Sequence, residues 1–135
     1  MEVIEKGVFS RTTQLPFAAD QLKPSAGRGV SCTVDCISLD DWFTNFSQSE
    51  SVDLLKIDVE GAELDILKGA TNFIARFRPD LVIEVHPSHL TRFGYASEHF
   101  FQQLLEIDYS WTPIDRTQIR ADLDDNVTVH AFPNL

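Results

Sequence analysis

The sequence predicts an α/β fold of parallel strands with flanking helices, and three observations carry that expectation. Val52, Leu54, Leu55, Ile57 and Val59 make the near-continuous apolar run expected of a parallel strand covered on both faces. Glu60-Gly61-Ala62-Glu63 opens a helical pattern directly after it, and Leu81-Val-Ile-Glu-Val85 repeats the buried-strand signature downstream. Asp58 and Glu60 then fall at a strand's carboxyl end, which is the ligand-binding edge of an open α/β sheet.

The elements follow in order. Residues 3–10 have the apolar character of a short strand interrupted by Gly7, and residues 11–29 look like a loop or loose hairpin punctuated by Pro16, Pro24, Gly27 and Gly29. Gly27-Arg-Gly29 follows no apolar strand and precedes an alternating segment, Val30–Ile37, so it fails as a phosphate turn on context. Ser38-Leu-Asp-Asp41 has capping-box spacing, with Leu39, Trp42, Phe43 and Phe46 on one helical face. After the first buried strand, Leu64, Leu67, Ala70, Ile74 and Phe77 continue a helical stripe to Pro79, with Gly69 marking a possible break. Pro87 ends the second buried strand. Ser97 is expected to cap a helix with Phe100, Phe101, Leu104 and Leu105 on one face, and residues 110–114 and 126–132 to form a closing pair of strands.

The 135 residues fit a single domain, residues 1–135, and 43% hydrophobic with 24% charged residues is ordinary for a soluble globular protein. A net charge of -10, from 11 Lys and Arg against 21 Asp and Glu, disfavours nucleic acid and favours a small polar or neutral substrate. The first residues lack the basic start and apolar core of a secretory signal, and no run approaches the ~18 apolar residues of a membrane span. The expectation is a cytoplasmic protein without a membrane partner. Cys32 and Cys36, about 13 Å apart in an extended segment, are beyond the ~7 Å limit for a disulfide and are expected as free thiols. No metal site is predicted, since zinc spacing wants two more ligands near this pair and His89, His99 and His130 are scattered.

The stretch Leu54-Leu-Lys-Ile-Asp-Val-Glu-Gly-Ala-Glu63, followed by Leu67-Lys-Gly-Ala70, closely resembles the hallmark of the FkbM family of S-adenosylmethionine-dependent methyltransferases. Arg78-Pro-Asp-Leu-Val-Ile-Glu-Val-His86 looks like the family's next strand, and Ile37-Ser-Leu-Asp-Asp-Trp42 resembles the segment preceding the hallmark, so the resemblance covers roughly residues 1–90. It implies a partial Rossmann-like class I methyltransferase sheet. The family's glycine-rich cofactor turn and its acidic ribose-holding strand end have no counterpart here, and two strand-helix units, ~60 residues at ~30 each, are expected to precede Val3. In such a partial sheet, strand 52–59 presents an unpaired edge. That edge invites self-association or a partner chain, unless Val3 to Phe9 covers it.

Side chains alternate along a strand, so Lys56, Asp58 and Glu60 are expected on one face of the first strand and Glu84 and His86 on one face of the second. A charge within an apolar run requires a partner, which predicts a Lys56–Glu84 pair across the strands. Methyl transfer to a hydroxyl needs the acceptor oxygen in line with the sulfonium and a nearby group to take its proton. Asp58 is the first candidate for positioning cofactor or acceptor, or else for capping the following helix, and His86 is a candidate base. Gly61 is expected to allow close backbone approach, and the resemblance makes Val8, Phe9 and Ser10 candidates for the adenine border.

The leading expectation is therefore the C-terminal portion of an FkbM-type O-methyltransferase using S-adenosylmethionine, with a sugar or secondary-metabolite-like hydroxyl acceptor. Two alternatives stand beside it: a non-catalytic interaction or dimerisation module, and one half of a split enzyme.

Overall fold

A computed structural model describes residues 3–18, 21–22, 32–46, 51–114 and 126–134. The described strands form two four-stranded sheets. The first contains β1 (Gly7–Val8), β2 (Thr13–Ala18), β3 (Gln21–Leu22) and β4 (Cys32–Ile37) in the order β1-β4-β2-β3. Here β4 runs parallel to β1 and antiparallel to β2. Part of segment 11–29 is thus a true hairpin with Pro16 inside β2, while Pro24, Gly27 and Gly29 lie outside the described residues. Cys32 is exposed and Cys36 buried, both as free thiols, and burial raises the Cys36 pKa.

Helix α1 (Leu39–Phe46) links the sheets, and the Ser38 hydroxyl accepts the Asp41 amide at 3.0 Å, as the capping spacing predicts. The second sheet contains β5 (Leu54–Ile57), β6 (Asp80–Val85), β7 (Tyr109–Pro113) and β8 (Val127–Pro133) in the order β5-β6-β8-β7. β5 and β6 are parallel, so a crossover must carry the chain back between them. Helices α2 (Glu63–Lys68) and α3 (Thr71–Phe77) supply it. The single stripe read from sequence is two helices because the chain turns at Gly69, where an added Cβ would fall 2.5 Å from the Phe9 carbonyl oxygen. β8 inserts antiparallel between β6 and β7, which makes the expected closing pair.

Pro87 does more than end β6. It is the first residue of a short helix, α4 (Pro87–Leu90), because its fixed φ and missing N–H suit a helix start. A 3-10 turn at Thr91–Phe93 follows, and then α5 (Ser97–Glu106). Ser97 is the first helical residue and not the cap. The preceding Ala96 amide instead donates to His99 Nδ1 at 2.9 Å.

Ile57, Leu64, Leu67, Leu81, Ile83, Val85, Phe100, Leu104 and Val129 form the main core between the second sheet and its helices. A smaller cluster of Phe9, Leu15, Cys36 and Ala62 ties the first sheet to the β5–α2 turn. The apolar run of β5 is not covered on both faces: only Ile57 is buried, and Leu54 is 59% exposed. β5 is the edge strand of its sheet and pairs among the described residues with β6 alone. Residues near Val3 do not cover that edge by pairing, since β1 pairs with β4. No helix among the described residues is long and apolar enough to cross a membrane.

Candidate functional site

β5 ends at Ile57, and the chain then turns sharply through Glu60 at φ 57° and Gly61 at φ 116°. A side chain at Gly61 would be strained and would also meet His89 Cβ and the His89 carbonyl oxygen, each 2.8 Å from an added Cβ. The close approach expected of Gly61 is therefore to α4 and not to a neighbouring strand. This geometry ends the alternation assumed for Lys56, Asp58 and Glu60, because the chain beyond Ile57 is no longer a strand.

The turn is held from below by Glu63, which is fully buried. Its Oε1 accepts the Gly61 amide at 2.9 Å and lies 2.8 Å from His86 Nδ1. Neither the sequence pattern nor the strand alternation marked Glu63 beyond a helix-opening residue. Its position two residues after the turn glycine was the available signal, since an acidic first-turn side chain can reach back to a free amide. Asp58 makes no capping bond to α2.

His86 sits between the end of β6 and α4 and is 1% exposed, because Pro87 forces the chain into α4 at that point. A buried carboxylate accepting from Nδ1 fixes the orientation of the ring and turns Nε2 toward the strand ends. Nε2 lies 3.6 Å from both Glu60 Oε1 and Glu84 Oε1. His89 stacks on His86 with ring centroids 5.6 Å apart, and its Nδ1 is 2.9 Å from Glu60 Oε2 without the alignment of a hydrogen bond. Sequence spacing left His89 among the scattered histidines, yet three residues after His86 on a helix started by Pro87 is a stacking distance.

The predicted Lys56–Glu84 pair does not form. Lys56 lies opposite Val82 in the strand register, and its ammonium pairs with Asp58 at 3.3 Å, both side chains about half exposed. Lys56 needs no buried partner because β5 is an edge strand. Glu84 instead faces His86.

A cleft of about 380 Å³ opens between β1 and β5, lined by Lys6, Val8, Leu55, Lys56, Asp58 and Glu60 among others. Of the adenine-border candidates, Val8 lines this cleft, Phe9 is buried in the smaller core cluster, and Ser10 hydrogen-bonds the Asp65 carboxyl. Burial raises the Asp65 pKa from its ordinary value, against the pull of Ser10 and Lys68. Although no metal spacing was legible in the sequence, Asp58, Glu60 and His86 each bring one ligand atom within 4.8 Å of the others. Asp58, Glu60, His86 and Glu84 thus converge, while Phe9 packs in the smaller core cluster and Ser10 faces Asp65.

Comparison with known proteins agrees with this architecture. The family described as Methyltransferase FkbM domain matches residues 4–111. A crystal structure of methyltransferase FkbM from Methylobacillus flagellatus KT superposes with a TM-score of 0.59 at 22% identity, covering 97% of this chain and 28% of that one. The chain thus spans well under half the length of that relative, and at this identity the likeness speaks for the fold alone. No curated protein matches by sequence. With most of its length matched to the domain and its hallmark turn in place, the chain belongs to the FkbM methyltransferase family.

Proposed function

We propose that this chain is the C-terminal, acceptor-side portion of an S-adenosylmethionine-dependent O-methyltransferase acting on a hydroxyl of a sugar or secondary-metabolite-like small molecule in the cytoplasm. The observation that carries the reading is the buried Glu63–His86 pair, which points Nε2 at the Glu60 and Glu84 carboxylates on the carboxyl edge of β5 and β6. Bound, the cofactor would supply an electrophilic methyl group on a sulfonium. The carboxylates of Asp58 and Glu60 at one end of the cleft suit that positive charge, Val8 and Leu55 offer an apolar wall, and a volume of about 380 Å³ lies within the usual range of ligand pockets. Asp58 would orient the cofactor's methionine end or the acceptor, and the Glu60–His86–Glu84 cluster would take up the proton that leaves the acceptor oxygen as the O–CH3 bond forms and the S–CH3 bond breaks.

The same reading assigns the glycine-rich cofactor grip to an amino-terminal portion carried outside these residues. The exposed edge of β5 supports it, because a strand edge beside the cleft that is unpaired among the described residues is suited to receive another strand. That strand could come from the same polypeptide, a separate chain or a second copy. Calorimetry with S-adenosylmethionine is expected to give binding weaker than micromolar for these 135 residues. Micromolar binding would overturn the division of labour. In a chain carrying the amino-terminal half, Asp58→Asn is expected to lower turnover about 100-fold with the fold intact. Unchanged turnover would leave Asp58 only its ion pair with Lys56.

A further inference from the structure

We propose that Asp58, Glu60 and His86 form a binding site for a divalent cation, with mixed imidazole and carboxylate ligation that favours Mn2+ or Zn2+. The spacing is that of a single ion. Ligand atoms around an ion bound at ~2.0 to 2.2 Å lie about 3 to 4.4 Å apart, so three ligand atoms within 4.8 Å of one another close onto one ion with small side-chain movements. Imidazole suits the transition metals and zinc, and carboxylates extend that preference to Mn2+.

Two buried groups point to an ion independently of the spacing. The His86 side chain is 2% exposed, and its Nε2 lies 3.6 Å from carboxylate oxygens of Glu60 and Glu84, beyond hydrogen-bond distance. A buried ring nitrogen and two carboxylates that converge without hydrogen-bonding one another are donor atoms that a cation would draw together. Beneath it, Glu63 is fully buried with Oε2 lacking a hydrogen-bond partner among the described residues, while Oε1 holds Nδ1. A carboxylate on the far nitrogen is the usual support of a metal-bound histidine, since it fixes the tautomer and makes the outer nitrogen a better donor.

The αL turn at Glu60 brings its carboxylate back over His86, which accounts for a non-glycine residue at φ 57° in the hallmark. Lys56, half exposed, faces Asp58 at 3.3 Å and would turn to solvent as the ion enters. Three protein ligands leave coordination positions open toward the cleft, where a water or an oxygen of a small molecule would bind. With Nε2 engaged, Glu84 becomes the carboxylate left to accept a proton.

The site is tested without methyl transfer, so either proposal can fail alone. Calorimetry of the native chain at pH 7 with MnCl2 and with ZnCl2 is expected to show one equivalent bound. Glu60→Gln and Asp58→Asn, both on partly exposed side chains, are expected to weaken binding at least about tenfold with circular dichroism unchanged. Since a variant of buried His86 could unfold, its ring is followed in the native chain: Zn2+ is expected to shift the Nε2 nitrogen resonance of His86 at one equivalent. Absence of saturable binding, binding indifferent to both carboxylate variants, or an unmoved Nε2 resonance would each overturn the site.

Discussion

Replacing Gly61 by Ala separates the two physical demands made on the hallmark turn. The residue sits at φ 116°, where a Cβ is strained, and the added atom would lie 2.8 Å from both Cβ and carbonyl oxygen of His89. Strain of this kind costs roughly 1–3 kcal/mol and forced overpacking about as much, so the sum is roughly 2–6 kcal/mol. At about 2.1 cal/mol/K per residue, 135 residues unfold with an entropy near 0.28 kcal/mol/K, which converts each kcal/mol into ~3.5 °C. Gly61→Ala is therefore expected to lower the midpoint by ~7–20 °C in a calorimetric melt. Two further glycines serve as controls for the separate terms. Gly94 has φ 82° with nothing within 4 Å of an added Cβ, so Gly94→Ala should lose only the conformational part. Gly69 has an ordinary φ of -85°, but its Cβ would strike the Phe9 carbonyl at 2.5 Å, so Gly69→Ala should lose only the steric part. If Gly61→Ala melts no lower than Gly94→Ala, the contact with α4 carries no energy and the turn is not pinned as described.

Three more substitutions test how the helices are anchored. Asp40 on α1 accepts the amides of Asn72 at 3.1 Å and Phe73 at 2.8 Å, capping α3 from another helix, so Asp40→Ala should cost about 1–2 kcal/mol in urea unfolding with an unchanged slope. Arg78 ties the end of α3 to the Ile107, Asp108 and Asn134 carbonyls with its forked guanidinium, and Arg78→Lys should lose roughly 1–3 kcal/mol in the same assay because an ammonium cannot span them. The buried Tyr109 hydroxyl donates to the Pro79 carbonyl at 2.9 Å, and burial, assisted by Asp80 and opposed by Arg78, pushes its pKa up to about 12. The unfolded phenol ionises from about pH 10, so the stability it contributes is complete below pH 10 and lost as pH rises to about 12. Tyr109→Phe should flatten that decline in melts taken from pH 9 to pH 12.

The element order was legible because its signals are local. Ser38 three residues before Asp41, the glycine within the stripe ending at Phe77, and the apolar alternation of residues 126–132 each report on a few neighbouring residues. What could not be read depended on partners distant in the chain. The apolar run of β5 predicts a strand covered on both faces, yet coverage is supplied by other strands, and here β5 is an edge with Leu54 exposed. That same edge spared Lys56 the need for Glu84. Pro87 ends a strand and starts a helix with equal physical right, and choosing between them decides whether His89 stacks on His86. Asp58, Glu60 and His86 were legible as a polar edge, but their approach within one ion's span was not, because the left-handed turn at Glu60 breaks the period-two rule on which their placement rested.

The buried Glu63 changes what the hallmark turn accomplishes. A carboxylate removed from water costs several kcal/mol unless its oxygens are engaged, and among the described residues only Oε1 is, by the Gly61 amide and the His86 ring. Those two partners come from the ends of different strands, so one buried oxygen fixes the β5–α2 turn against the β6–α4 turn. Each partner also constrains what lies above it: the Gly61 amide sets the turn that returns Glu60 over the site, and the His86 ring presents Nε2 to that carboxylate. A Glu63→Gln change keeps the shape but removes the charge and can donate where the carboxylate only accepts, so it would release the tautomer of His86 before it disturbed the core. The carboxyl edge is thus governed from beneath by a residue that need never touch a ligand, which is why exposure is a poor guide to the residues that matter in this turn.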